Sequence, residues 1–173
     1  MNIFVVDYNP GWPEAFKSEA AQIQRILCNN LLQVFHIGST SVPGLRAKPI
    51  IDIMPVVRSL AQVDACTAAF VGIGYEVMGE FGMPGRRYMR KGGDNRTHQV
   101  HTFQYDNIAD VVRHLSFRDY LRCRPDICAA YGKLKSELAQ QYPSDIGAYG
   151  DGKEDFVKRV ERDALQWHWE NVK

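Results

Sequence analysis

The chain has 173 residues, 45% of them apolar and 24% charged, with a formal net charge of +1. That size and balance fit one soluble globular domain and exclude a whole-molecule field that would draw the protein to nucleic acid or a membrane surface, so any anion site must be a local cluster. No apolar run approaches the roughly 20 residues of a membrane helix, and neither an internal repeat nor a low-complexity segment is present.

Residues 3–6 read as a short edge strand. Pro13 suits the first turn of a helix, and Phe16, Ala20, Ile23 and Leu27 recur at helical spacing from 14 to about 30. The apolar run 31–37 predicts a strand that breaks at Gly38-Ser39. A second strand, 49–57, is so continuously apolar that both faces are expected to be buried. Residues 59–71 predict a helix with Ser59 as N-cap and Gly72 and Gly74 ending it, and 75–80 a third strand. Two short strands, 86–90 and 97–105, flank the turn 91-KGGDN-95. The second alternates, with His98, Val100, Thr102 and Gln104 on one face and Gln99, His101, Phe103 and Tyr105 on the other.

From about Ile108 the chain predicts helices. Val111, Val112 and Leu115 mark the first; beyond the break at Pro125, Ile127, Tyr131, Leu134 and Leu138 mark the second; Phe156, Val157, Val160 and Ala164 mark the third. The expected fold class is α+β: a mixed β-sheet flanked by helices, with a C-terminal helical region packed against it. One domain, 1–173, would comprise an α/β core (about 1–106) and a helical part (about 107–173), with no sharp linker. The cysteines Cys28, Cys66, Cys123 and Cys128 form no C-x-x-C pair, and the opening residues carry no signal-peptide pattern. A reduced, cytoplasmic chain with packing cysteines is expected.

Chemistry concentrates around 38-GST-40. Gly38 permits close backbone approach, Ser39 and Thr40 offer hydroxyls, and successive N–H groups in such a turn can cradle an anion. Asp52 lies beyond twelve intervening residues, centred in an apolar strand where a carboxylate is costly unless bonded, paired or on a metal. It either serves such a site or sits at a sheet end and pairs with Lys48 or an arginine. His36 alternates with Gly38 and is expected on the site face. His98 and His101, three apart, face opposite sides of a strand unless a bulge intervenes. One of them with Asp52 and His36 would suit a zinc- or manganese-type ion; the other reading is structural hydrogen bonding at the sheet surface. Arg86, Arg87, Arg90, Lys91 and Arg96 form the densest basic cluster, suited to phosphate or else a solvated hairpin. They do not extend into a stripe, so nucleic acid is not an expected partner. Arg118 and Arg122 stand one helical turn apart, and Tyr149 and Lys153 lie in 149-YGDGK-153. Tyr131, Trp167 and Trp169 read as packing residues.

The Gly38-Ser39 turn followed by Asp52 on a strand resembles the signature of polymerase-beta-like nucleotidyltransferases. That resemblance implies a turn holding nucleotide phosphates, and acids holding two ions that align an in-line attack. Gly38 and Ser39 would contact phosphate and Asp52 would be the first metal-ligating acid. Met54 stands where the second acid would be, so two ions on paired carboxylates are not expected. The longer string 36-HIGSTSVPGLRAKPIID-52, with 8-YNPGWPEAF-16, 84-PGRRYMRKG-92, 97-THQVH-101, 114-HLSFRDYLRCRPD-126 and 149-YGDGKEDFV-157, resembles the GrpB family, a branch of that superfamily. Family members carry a single Asp with an apolar residue at position 54, and some are fused to dephospho-coenzyme A kinase.

The resemblance and the residues together imply a phosphate-handling protein whose partner is a small phosphorylated ligand, a nucleotide or coenzyme A-like molecule, with a divalent ion (Mg, Mn or Zn). Asp52, His98 and His101 are the candidate catalytic residues, and Asp52, His36, His98 and His101 the candidate metal ligands. Gly38, Ser39, Thr40, Lys48, Arg86, Arg87, Arg90, Arg118 and Lys153 are the candidate phosphate contacts. Two alternatives stand beside a nucleotidyl or phosphoryl transferase: a non-catalytic sensing module, which Met54 favours, and a His/Asp metal-dependent hydrolase.

Overall fold

A computed structural model describes residues 2–172. By compactness the chain divides into two units. One comprises residues 2–10, Gly38–Pro49 and residues 112–172; the other comprises Gly11–Ile37 and Ile50–Val111. The helical unit thus includes two segments from the first third of the sequence.

The second unit holds the sheet. Pro13 occupies the first turn of α1 (Trp12–Leu27), which a 3-10 turn at Cys28–Asn30 extends to the expected end. Strands β1 (Leu31–Ile37) and β2 (Ile51–Val57) follow. The predicted helix 59–71 is two helices, α2 (Leu60–Ala65) and α3 (Thr67–Gly72), separated at Cys66; Ser59 caps the first by accepting from the Gln62 N–H. Strand β3 (Tyr75–Val77) stops short of 80, because the chain turns at Gly79 with φ +62°. Strands β4 (Arg86–Lys91) and β5 (His98–Gln104) complete one mixed sheet in the order β1-β2-β5-β4-β3. Among the described residues, only β2 and β5 run parallel. The central strand β2 is as buried as its apolar run demands: Ile53, Met54 and Val57 are fully inaccessible.

Register sorts the side chains onto two faces. His36 pairs with Ile53, which pairs with Val100, so His36, Ile53, Val100 and His98 share a face with Arg87, Met89 and Lys91. Helices α1 to α3 supply partners on that face: Phe16 stacks on His36, Glu19 binds Lys91 and Asp64 binds Arg87. The opposite face carries Asp52, Met54, Gln99 and His101 with Arg86, Tyr88 and Arg90.

The first unit is built on α4 (Ile108–Cys123, which begins in the sheet unit), α5 (Pro125–Gln141) and α6 (Ile146–Asn171). Asp145 caps α6 by accepting from the Ala148 N–H at 3.0 Å. Val42, Leu45, Tyr120, Leu121, Cys128, Tyr131, Val160 and Ala164 form its core, with Phe156 stacked on Tyr131. Residues 3–6, predicted as an edge strand, contribute instead one isolated bridge, Val6 with Ala47. Among the described residues, no helix is long and apolar enough to cross a membrane.

Candidate functional site

Asp52 sits in β2 between Ile37 of β1 and Gln99 of β5. Its carboxylate, 23% exposed, meets His101 Nε2 at 3.1 Å. The strand residues that follow it, Ile53 to Val57, are buried, so His101 is the polar partner that the strand leaves within reach of this carboxylate. His101 in turn lies 5.3 Å from the ring of Tyr88, and Phe81 stacks on Tyr88 at 5.1 Å with the planes 16° apart. The Arg86 guanidinium stands over Tyr88 at 5.0 Å. Burial raises the Tyr88 hydroxyl's pKa; the charge of Arg96 opposes the rise and that of Asp52 adds to it.

The other two candidate histidines are elsewhere. His36 was expected on the face of Asp52. It lies on the opposite one, because the β1–β2 register places Ile37, not His36, across from Asp52. There it is buried and stacked on Phe16 at 4.9 Å. His98 shares that far face and bonds through Nδ1 to Thr97 Oγ1 at 2.9 Å. Burial lowers its pKa, with Glu19 opposing and Lys91 adding to the effect. The expected ligand set is therefore divided, Asp52 and His101 on one side and His36 and His98 on the other. Among the described residues no group of three or more His, Cys, Asp or Glu is arranged to hold an ion. A hydrolase centre using all four residues is not assembled.

Asp52 and His101 are the two residues of the expected ligand set that the structure brings together, and between them they could hold one ion. Two donors at about 2.1 Å from one octahedral ion stand about 3 Å apart, close to the observed separation. Met54, on the same face but fully buried, offers no donor for a second ion.

The hairpin arginines are largely committed. Arg87 points to the far face and makes a bidentate pair with Asp64 at 2.6 and 2.9 Å, so it is not positioned beside Asp52. That pair holds the Asp64 carboxyl below its ordinary pKa, chiefly through the hydrogen bond from Arg87. Arg90 shares the site face and is bidentate to Glu76 at 2.6 and 2.9 Å. Arg86 donates to the carbonyls of Glu80 and Phe81.

In the helical unit, Gly38 adopts φ +69° and ψ −173°, a conformation that favours glycine, and opens a 3-10 turn over Ser39–Ser41. Ser41 Oγ donates to the Gly38 carbonyl at 2.5 Å; Thr40 and Ser41 are buried. Arg122 clamps this turn, donating from Nε and Nη2 to the Ser41 carbonyl at 3.0 and 2.7 Å. Burial lowers the Arg122 pKa, and the neighbouring charge of Arg118 adds to the effect. Arg118 bonds Asp119 at 2.7 Å. Lys48 and Lys153 each stand 5.1 Å from the ring centre of Tyr149, whose hydroxyl pKa burial pushes up to about 12. Sequence reading missed two of these features. Its only hint of the Arg122 clamp was the one-turn spacing from Arg118. Its only hint of Phe81 was the glycine-rich stretch 79-GEFGMPG-85.

A family model described as GrpB protein matches residues 2–163. Over 163 residues the chain is 42% identical to the UPF0157 protein YqkA of Bacillus subtilis, a match covering 94% of this chain and 47% of YqkA, so the chain spans about half the length of that relative. The crystal structure of conserved protein GrpB from Enterococcus faecalis superposes with a TM-score of 0.94 at 50% identity, covering 96% of this chain and 99% of that one. Terminal uridylyl transferase 4 from Trypanosoma brucei, with bound CTP, superposes with a TM-score of 0.50 at 14% identity, covering 94% of this chain and 52% of that one. The last likeness concerns the fold alone: a mixed sheet flanked by helices, with further helices at the C-terminal side.

Proposed function

The chain belongs to the GrpB family and has a nucleotidyltransferase-like fold, and from that premise we propose that it binds a small phosphorylated ligand of the nucleotide class with one divalent ion held at Asp52 and His101. The observation that carries this reading is the Asp52–His101 pair at 3.1 Å, in which each residue comes from a different strand of a parallel pair. The backbone N–H groups of the Gly38–Ser39 turn, in the helical unit, are proposed phosphate contacts in their own right. Arg122 would act on the turn rather than on the ligand, by fixing the Ser41 carbonyl. A bound ion would neutralise phosphate charge and, in a transferase, stabilise charge developing on transfer.

A second reading is a sensing module with the same ligand and no turnover. It is favoured by Met54, which removes the second acid, and by the internal partners already engaged by Arg86, Arg87 and Arg90. Product formation from nucleotides with Mg²⁺ or Mn²⁺ separates the two; the binding proposal is common to both.

A thermal-shift panel of ATP, CTP, coenzyme A and inorganic tripolyphosphate, each with and without Mg²⁺, Mn²⁺ or Zn²⁺, tests that proposal. At a hundredfold excess over Kd, a ligand should stabilise the native state by about 2.7 kcal/mol, and by less without the ion. No stabilisation by any phosphorylated compound with any of the ions would sink it.

A further inference from the structure

Three consecutive contacts run from the protein surface to Asp52: Phe81 stacked on Tyr88 at 5.1 Å, Tyr88 tilted against His101 at 5.3 Å, and His101 bonded to Asp52 at 3.1 Å. The innermost rings are covered, Tyr88 being 6% exposed, whereas Phe81 is 53% exposed. A large ring left half in water contributes little burial.

Its backbone is also unusual. Phe81 has φ +46°, a conformation that side-chain-bearing residues avoid at a cost of about 1–3 kcal/mol. The loop secures it there. Arg86 Nη2 donates to the Phe81 carbonyl at 2.8 Å and Arg86 Nε to the Glu80 carbonyl at 3.3 Å, while the Gly85 N–H donates to Glu80 Oε1 at 2.9 Å. Two guanidiniums stand over the rings, Arg86 at 5.0 Å from the centre of Tyr88 and Arg90 at 5.9 Å from that of Phe81. A strained, solvent-facing ring held by its neighbours, in ring-to-ring continuity with an acid–imidazole pair, is poorly explained by packing alone.

We propose that Phe81, backed by Tyr88, is a stacking platform for the planar base of the ligand, so that the site selects nucleotides over simple phosphates. This rests on the phosphorylated-ligand reading above. Stacking on an aromatic face tolerates every base, so the platform sets ligand class and leaves base identity open. Arg86, which donates to neutral carbonyls, adds positive charge beside the stacked base, whereas the charge of Arg90 is already met by Glu76.

The test is calorimetric titration of the full chain, in Mn²⁺, with ATP, CTP, coenzyme A, 4′-phosphopantetheine and inorganic tripolyphosphate. The base-bearing compounds should bind more tightly than the two that lack a base. Phe81→Ala should weaken the base-bearing ligands by roughly 5- to 150-fold and leave tripolyphosphate unchanged. Phe81→Leu, apolar but without a ring face, should behave as Phe81→Ala, and Phe81→Trp should keep wild-type affinity. Ala and Leu variants that retain nucleotide affinity, or that lose nucleotide and tripolyphosphate in parallel, would overturn the platform and leave the phosphate reading standing. A wild-type chain that binds none of the five compounds would overturn both.

Discussion

Asp52→Asn is expected to lower ion-dependent nucleotide affinity by at least about tenfold while leaving the fold intact. The substitution keeps the shape of the side chain and an acceptor for His101 at the observed 3.1 Å, and removes the charge. With Mn²⁺ present, the variant should bind a nucleotide as weakly as the wild type does in a chelator. Calorimetry with and without the ion measures this directly. Equal affinity of variant and wild type at every ion concentration would mean that the carboxylate has no part in ligand binding and serves only to hold His101.

Lys91→Met should cost about 3–5 kcal/mol of stability, the largest effect expected from one substitution outside the apolar core. Lys91 Nζ meets Glu19 Oε1 at 2.9 Å, and the Glu19 side chain is only 6% exposed. Removing the cation leaves a buried carboxylate with Gln22 donating at 3.2 Å and the Tyr75 hydroxyl beside it. The ammonium also lies 5.3 Å from the Tyr75 ring, and burial, with Glu19 nearby, already pushes that hydroxyl well above the usual tyrosine pKa. Urea unfolding of the single variant and of the Glu19→Leu/Lys91→Met double variant separates the two contributions. The double variant should recover much of the loss, since an apolar pair buries no unmatched charge. A single variant within 1 kcal/mol of wild type would show that the pair is not effectively desolvated.

Much of the framework was legible because it rests on local rules. Pro13 and Pro125 mark helix starts, Ser59 caps a helix, and the unbroken apolar run of β2 reads as a doubly buried strand. The alternation along β5 separated His98 from His101 before any tertiary information, and the isolated acid of β2 drew attention to Asp52. What stayed hidden depends on register and on distant partners. Period-two alternation puts His36 and Gly38 on one side of an extended strand, but whether that side is the side of Asp52 depends on Ile37 pairing with Asp52. Arg87 reads as a phosphate contact until Asp64, 23 residues earlier, is found against it. The Arg122 clamp on Ser41 spans 81 residues of sequence. Residues 75–80 read as a continuous strand, whereas only three of them form β3 and the chain then turns through Gly79 towards Phe81.

The central claim is that Asp52 and His101, and not His36 or His98, hold the ion that accompanies a phosphorylated ligand. Its most direct test is an NMR titration of the histidine ring resonances with Mn²⁺ in the presence of a nucleotide, because paramagnetic broadening falls steeply with distance. The His101 signals should disappear at ion concentrations that leave His36 and His98, on the other face of the sheet, still visible. Loss of His36 or His98 first, or no selective broadening of His101 at saturating nucleotide, would contradict it.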